Sequence, residues 1–105
     1  MNGPANREGG ASAPLDPALA RISERKRLGS QLDSWPYAER SEADFRRVAD
    51  TFNDLLDLIE LTSPTTPEGM AASISYLAEC IEGGQSVDES RWLGTLAESA
   101  ARWLS

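Results

Sequence analysis

Residues 41–61, SEADFRRVADTFNDLLDLIEL, restrict the fold more than any other stretch, because apolar side chains recur in them at the spacing of an α-helix. One arc of that helix holds the apolar set Phe45, Val48, Phe52, Leu55, Leu56 and Ile59. The opposite side is acidic and carries Asp50, Asp54 and Asp57. Ser41, with Asp44 three residues later, is a near capping box. The segment therefore predicts an amphipathic helix.

The stretch SPTTPEGM at residues 63–70 is typical of a helix start. Thr66 suits the N-cap, and Pro67 suits the first helical position, where an amide hydrogen would have no partner. Gly69 lies inside the first turn at a cost of roughly 1 kcal/mol relative to Ala, which predicts close packing against the preceding helix or a contact site there. The helix is expected to end at Gly83–Gly84 in a left-handed conformation. Its predicted apolar stripe consists of Met70, Ile74, Leu77, Ala78 and Ile81.

Two further helices are predicted, one before and one after these segments. Asp16 and Pro17 open the first, whose apolar residues are divided between two sides and leave it a poor apolar face. Ser86 with Glu89 is a capping box that opens the last. The last helix has an apolar face of Leu93, Leu96, Ala97, Ala100 and Leu104. The four predicted helices span residues 17–32, 42–61, 67–83 and 87–104.

These helices predict an all-α fold, a small antiparallel bundle of three or four helices. The connections between them have about three to nine residues, which favours antiparallel neighbours. We expect the last three helices to form the core and the first to dock weakly or on a partner. Residues 15–105 are predicted to form a single helical domain. A flexible tail precedes it, residues 1–14, whose side chains bury too little surface to offset the entropy of ordering.

The composition excludes most enzyme chemistry, since the chain has no histidine. Histidine is the usual general base near neutral pH and the commonest nitrogen ligand for metals. Cys80 is placed at a packing edge between Glu79 and Glu82, whose charges oppose thiolate formation. The aspartates of residues 50–57 point away from the apolar face of their helix, which indicates a solvated face. We therefore expect no enzyme activity, no catalytic residue, no cofactor and no metal site.

Cysteine usage and the N-terminal residues predict a cellular location. Cys80 is the single cysteine and has no partner for an internal disulfide. The first residues, MNGPANREGGASAPLD, lack the charged start and apolar block of a signal peptide. No apolar run approaches the length needed to cross a bilayer. These features predict a cytoplasmic protein without a membrane segment.

Charge is unevenly distributed along the chain, whose formal net charge is −7. Residues 49–89 contain nine acidic residues and neither Lys nor Arg. Such a field can steer a basic partner and disfavours direct nucleic-acid binding. The alternative is that these side chains form a solvated surface without a function. The two tryptophans of the last helix are predicted to flank its apolar face. The candidate interaction residues are Asp50, Asp54, Asp57, Glu60, Glu79, Glu82, Trp92 and Trp103.

The run LTSPTTPEGMAASISYLAECIEGGQSVDESRWLGTLAESAARWL combines a TTxxG helix start, Tyr76 and a closing helix of Trp and Leu. In these features it resembles a group of short helical proteins of bacterial and prophage genomes that have no assigned activity. The resemblance covers residues 41–105. It implies an interaction or accessory protein and gives no site residue.

Three functional hypotheses remain open at this point. The first is a small non-enzymatic interaction or regulatory module that binds another protein, with a basic partner or a second copy of the chain as the expected occupants. The second is an acidic inhibitor of phage origin that mimics nucleic acid on a defence or nucleic-acid-binding protein. The third is an enzyme that works with Asp, Tyr and Ser and without histidine.

Overall fold

The computed structural model describes residues 16–39 and 41–104. These residues form four α-helices and no strand, which confirms the all-α fold. The helices are α1 (Pro17–Ser34), α2 (Glu42–Leu61), α3 (Pro67–Glu82) and α4 (Glu89–Leu104). A short 3-10 turn, Tyr37–Glu39, lies between α1 and α2. The predicted flexible tail, residues 1–14, falls outside the described residues.

Three of the predicted N-caps are confirmed, and the fourth is wrong. The side chains of Asp16, Ser41 and Thr66 accept amide hydrogens at the starts of α1, α2 and α3. The cap of α4 is Asp88 instead of Ser86, since Asp88 Oδ1 accepts from the Arg91 amide at 3.0 Å. The cause is a long-range contact. The Glu60 carboxylate of α2 accepts a hydrogen bond from the Asp88 amide, and the helix starts two residues later than predicted.

The end of α3 has the left-handed glycine that the sequence predicted. Gly84 has a φ of 74°, a conformation that glycine adopts without the strain of a side chain. The amide of Gln85 donates to the Cys80 carbonyl at 2.9 Å, and the Gly84 amide donates to the Ile81 carbonyl at 3.1 Å. This pair of hydrogen bonds is a Schellman motif, which stops the helix and turns the chain toward α4.

The helices are arranged in the cyclic order α1, α2, α4, α3. Helix α1 packs extensively against α2 and α3, and α4 packs against α2 and less extensively against α3. Helices α2 and α3, although consecutive in the chain, are diagonal to each other. The expectation that α1 docks weakly is therefore wrong. Its buried residues recur every three or four positions, as on one face of a helix. Because one of them is charged, the apolar residues alone did not indicate this face. The buried residues are Ala18, Ile22, Arg25 and Leu28.

The core joins side chains from all four helices, and α3 and α4 contribute only part of their predicted stripes to it, Leu77 and Leu96 among them. The largest buried side chain is Trp92, which packs edge-on against Tyr76 with ring centroids 6.3 Å apart. Burying a tryptophan removes more apolar surface from water than burying a leucine, so Trp92 faces inward and Leu93 does not. The core cluster consists of Ile22, Leu56, Ile59, Tyr76, Leu77, Cys80, Trp92 and Leu96.

Candidate functional site

The carboxylate of Asp16 joins the starts of two helices. Its Oδ1 accepts from the amides of Ala18 at 2.8 Å and Leu19 at 3.3 Å, which caps α1. Its Oδ2 accepts from the amides of Thr65 at 2.9 Å and Thr66 at 2.8 Å and from the Thr66 hydroxyl at 2.6 Å. The positive end of the α3 dipole is therefore occupied by a side chain of this protein. The TTPEG segment builds the fold and is not a free anion site.

Gly69 is part of this junction, and its contacts there account for a glycine in the first turn of α3. The Thr66 hydroxyl accepts from the Gly69 amide at 2.9 Å, and a Cβ added at Gly69 would overlap the Asp16 carboxylate. Gly69 is therefore closely packed, but against the Asp16 cap of α1 and not, as was expected, against the preceding helix α2. Burial raises the pKa of the Asp16 carboxyl, but hydrogen bonds from the Thr66 hydroxyl and from the Thr65, Leu19 and Ala18 amides outweigh it, so the pKa lies below its usual value.

Glu60, predicted as an exposed interaction residue, is almost completely buried. Its Oε2 accepts from the Asp88 amide at 2.8 Å, and its Oε1 accepts from Arg91 Nη2 at 2.6 Å. The Glu60 carbonyl accepts from the Thr95 hydroxyl at 2.7 Å. The prediction is wrong because Glu60 lies at the edge of the apolar arc of α2, where α4 covers it. Glu60 therefore links the start of α4 to the end of α2 through hydrogen bonds.

The two tryptophan candidates lie in different environments. Trp92 is fully buried, so this side chain offers no surface to a partner and its prediction as a contact residue is wrong. Its indole Nε1 has no hydrogen-bond partner among the described residues. Trp103 is 42% exposed near the end of α4 and remains accessible.

The five other acidic candidates are exposed, but they do not gather on one face; they are Asp50, Asp54, Asp57, Glu79 and Glu82. Glu79 of α3 lies 3.7 Å from Lys26 Nζ of α1, whereas Asp57 of α2 lies 4.0 Å from Arg91 Nη2 of α4. Helices α1 and α4 occupy opposite corners of the four-helix arrangement. Asp57 and Glu79 therefore face opposite edges of the molecule.

Part of the apolar stripe predicted for α3, and part of that predicted for α4, lies on the outside. Ile74 and Ile81 of α3 are 54% and 45% exposed, and Leu93 of α4 is 53% exposed. The core instead receives polar and small side chains of the two helices, among them Ser73, Cys80, Thr95 and Ser99. The predicted stripes are wrong for these positions because amphipathic spacing defines a stripe but does not say which edge of it the neighbouring helices cover.

These exposed apolar residues border one seam. Arg91 and Thr95 bind Glu60 and so mark the flank of α4 that faces α2. Glu79 and Tyr76 bind side chains of α1 and mark the flank of α3 that faces α1. The opposite flanks of both helices adjoin the seam between them, where their packing is least extensive. We call this the α3–α4 surface; it comprises Ile74, Ala78, Ile81, Leu93 and Ala97.

Two cavities lie where the segment between α3 and α4 passes α2. The first, of about 590 Å³, is lined by Asp57, Glu60, Ser86, Val87, Asp88, Glu89, Ser90 and Arg91. Its Glu60 carboxylate is already bound to Arg91, with Asp57 and Asp88 at the edge of ion-pair distance from the same guanidinium. Within the described part of the chain, no group of three or more His, Cys, Asp or Glu residues has an arrangement that could hold a metal ion.

The second cavity, of about 600 Å³, has a buried arginine among its lining residues: Arg25, Phe52, Asn53, Leu56, Asp57, Gln85 and Ser86. Arg25 Nε donates to the Phe52 carbonyl and Nη1 donates to the Tyr76 hydroxyl, both at 2.8 Å. The guanidinium carbon lies 3.8 Å from the centre of the Phe52 ring, which is cation–π distance. The sequence analysis did not predict a role for Arg25. Its position three residues after Ile22 and three before Leu28 could have indicated that it lies on the buried face of α1.

Cys80 and Tyr76 lie beside this arginine in the core. Cys80 is fully buried, which corrects its predicted place at a packing edge. Burial raises the pKa of the Cys80 thiol, and the nearby Arg25 charge offsets only part of this effect. Burial likewise raises the pKa of the Tyr76 hydroxyl. Neither group is therefore activated as a nucleophile or a base near neutral pH.

Comparisons with protein families, curated proteins and solved structures found no match to this chain. Within the described residues, no helix combines the length and apolar character needed to span a bilayer.

Proposed function

We propose that this protein is a non-enzymatic binding module that recognises another protein through the α3–α4 surface. The observation that carries the proposal is the exposure of Ile74, Ile81 and Leu93 along one seam. Large apolar side chains that lie together on a surface mark contact sites more often than singly scattered ones do. The pattern on each helix has the spacing that an amphipathic helix of a partner would match.

The charges around the surface indicate the chemistry of the partner. Helix α3 contains no Lys or Arg, and Glu82 ends α3 while Glu89 begins α4, so the connected ends of the two helices are both acidic. A partner helix with an apolar stripe and flanking Lys or Arg would complement both features. A second copy of this chain would bring acidic residues against acidic residues, which opposes a homodimer through the same surface.

The absence of catalytic function is part of the same proposal. The chain has no histidine, and the pKa values of the buried Cys80 and Tyr76 are raised away from neutral pH. A cytoplasmic location also belongs to the proposal, supported by the single Cys80. The division of Asp57 and Glu79 between opposite edges argues against mimicry of a continuous phosphate track.

Titration with two designed amphipathic helical peptides tests the proposal. Both have the same leucine stripe, and one has lysine on its flanks where the other has glutamate. We expect the lysine peptide to shift backbone amide resonances of α3 and α4 in NMR spectra, and the glutamate peptide to bind more weakly. Shifts spread over α1 and α2, or equal binding of both peptides, would contradict the proposal.

Variants of the protein localise the contact. Leu93→Asp and Ile81→Asp should weaken binding of the lysine peptide by about tenfold or more, because each places a charge in an apolar contact. Leu58→Asp is the matched control, since Leu58 is 46% exposed on α2 and lies outside the α3–α4 surface. Sedimentation of the protein alone should give a monomer. A dimer that Leu93→Asp dissociates would replace the proposed partner by a second copy of the chain.

A further inference from the structure

The charge of Arg25 is not neutralised by any described carboxylate, although this residue is only 1% exposed. No Asp or Glu among the described residues lies within ion-pair distance of its guanidinium. The hydrogen bonds of Arg25 go to neutral groups, namely the Phe52 carbonyl, the Tyr76 hydroxyl and, more weakly, the Cys80 sulfur. A buried cation is costly unless an anion or several hydrogen bonds compensate it.

The guanidinium also has donors to spare. Arginine has five N–H groups, and Arg25 uses one on Nε and one on Nη1. Among the described residues, the other N–H groups meet only the Cys80 thiol sulfur, a weak acceptor, and no further oxygen. Because Arg25 lines the cavity of about 600 Å³ between α1, α2 and the α3–α4 connection, these donors have a space into which an acceptor can enter.

The other residues that line this cavity determine which kind of anion fits beside Arg25. Asn53 and Gln85 contribute side-chain amides that can donate further hydrogen bonds, and Phe52 and Leu56 contribute apolar surface. Asp57 adds a negative charge to the lining, which disfavours a dianion such as phosphate more than a monoanion. A planar carboxylate matches the fork of a guanidinium and can accept two parallel hydrogen bonds from it.

We propose that the Arg25 cavity binds a small organic monocarboxylate, whose carboxylate pairs with the Arg25 guanidinium and whose apolar group lies against Phe52 and Leu56. The side chains of Asn53 and Gln85, both exposed, lie at the rim, where their amides can donate to the ligand. This site shares no residue with the α3–α4 surface. A negative result for the carboxylate site therefore leaves the proposed protein-binding function untouched, and the reverse also holds.

Sodium benzoate is a suitable probe, and benzamide is its neutral control of the same shape. NMR titration should show a saturable shift of the Arg25 Nε–H resonance with benzoate and none with benzamide. Sodium chloride and sodium phosphate at matched ionic strength should produce no such saturable shift. The absence of saturation with benzoate, or an equal response to chloride or phosphate, would overturn the carboxylate site.

Variants at the rim make the test independent of the stability of Arg25 variants. Asp57→Asn should tighten benzoate binding by about two- to fivefold, since it removes a partly screened like charge. Asp54→Asn is the matched control, because Asp54 is exposed on the same helix and does not line the cavity. Gln85→Ala should weaken binding by about twofold or more, through loss of a hydrogen-bond donor. Equal affinities for Asp57→Asn and Asp54→Asn would count against the site.

Arg25→Met removes the guanidinium while it keeps an unbranched side chain of similar width. If this variant folds, as judged by its circular dichroism and dispersed NMR spectrum, benzoate binding should be abolished. Unchanged binding to folded Arg25→Met would overturn the proposal. If the variant does not fold, the comparison of the two aspartate variants decides.

Discussion

Two buried carboxylates each bind the start of another helix, at different places in the molecule and with different partners. Asp16 lies at the start of α1 and binds the start of α3, whereas Glu60 lies near the end of α2 and binds the start of α4. Asp16 accepts only from neutral amides and a hydroxyl. Glu60 accepts from one amide and from the guanidinium of Arg91, which is 42% exposed.

The comparison shows how a small bundle fixes helices that have few apolar contacts. The free amides at a helix start carry a partial positive charge, and a carboxylate from another helix satisfies them and adds a link across the fold. Each junction connects residues that are far apart in sequence, 49 or 50 positions for Asp16 and 28 for Glu60. We expect the all-neutral Asp16 junction to be the more important of the two, because it orders two helix starts at once.

Removal of the Asp16 carboxylate should have the largest effect. Asp16→Ala leaves the amides of Thr65 and Thr66 without their acceptor and removes the cap of α1. We expect it to lower the free energy of unfolding by about 3–5 kcal/mol. Urea denaturation followed by circular dichroism measures this, with Asp33→Ala, an exposed residue of the same helix, as control. Similar losses for the two variants would refute the special role of the junction.

Gly69 and Gly94 form a matched pair that tests the packing of the Asp16 junction. Gly69→Ala forces a methyl group into the Asp16 carboxylate and should destabilise the protein by about 2–4 kcal/mol. Gly94 lies within α4 with open space around it, so Gly94→Ala should stabilise the protein by about 0.5–1 kcal/mol. Thermal and urea unfolding of both variants gives the signs. A stable Gly69→Ala variant would show that the two helix starts tolerate separation.

Substitution of Glu60 should cost less than substitution of Asp16. Glu60→Gln keeps an oxygen that can accept from the Asp88 amide and loses the charge opposite Arg91. We expect a loss of about 1–3 kcal/mol in the free energy of unfolding. Asp50→Asn, on the exposed side of the same helix, should have almost no effect. If Glu60→Gln proves as costly as Asp16→Ala, the ranking of the two junctions is wrong.

The pH dependence of stability sharpens the comparison further. The folded pKa of Asp16 lies below its unfolded value of 3.8, so the unfolded chain binds the proton first as the pH falls. The stability from Asp16 is therefore complete above about pH 5 and is lost as the pH falls through the folded pKa. Unfolding measured from neutral pH to about pH 2 should show this loss in the parent protein and less of it in Asp16→Asn. Identical profiles would contradict the assignment.

Local signals in the sequence predicted most helix limits correctly. The residues of α2, the caps Asp16, Ser41 and Thr66, and the left-handed glycine at the end of α3 depend on side chains only a few positions away. Ser86 is the instructive exception. Its capping box was a sound local signal, but the hydrogen bond from the Asp88 amide to Glu60, 28 residues away, moved the helix start. No local pattern contains that bond.

What the sequence determined by itself was therefore the helices, most of their ends and the excess of acidic residues, because each depends on neighbouring residues or on composition. The tertiary structure alone decided which edges of α3 and α4 face inward, with Trp92 buried and Leu93 exposed. It also decided that Glu60 and Arg25 are enclosed, since a charged residue is buried only where distant groups supply its hydrogen bonds. The candidate sites come from these long-range choices, which is why the α3–α4 surface and the Arg25 cavity could not be found in the sequence.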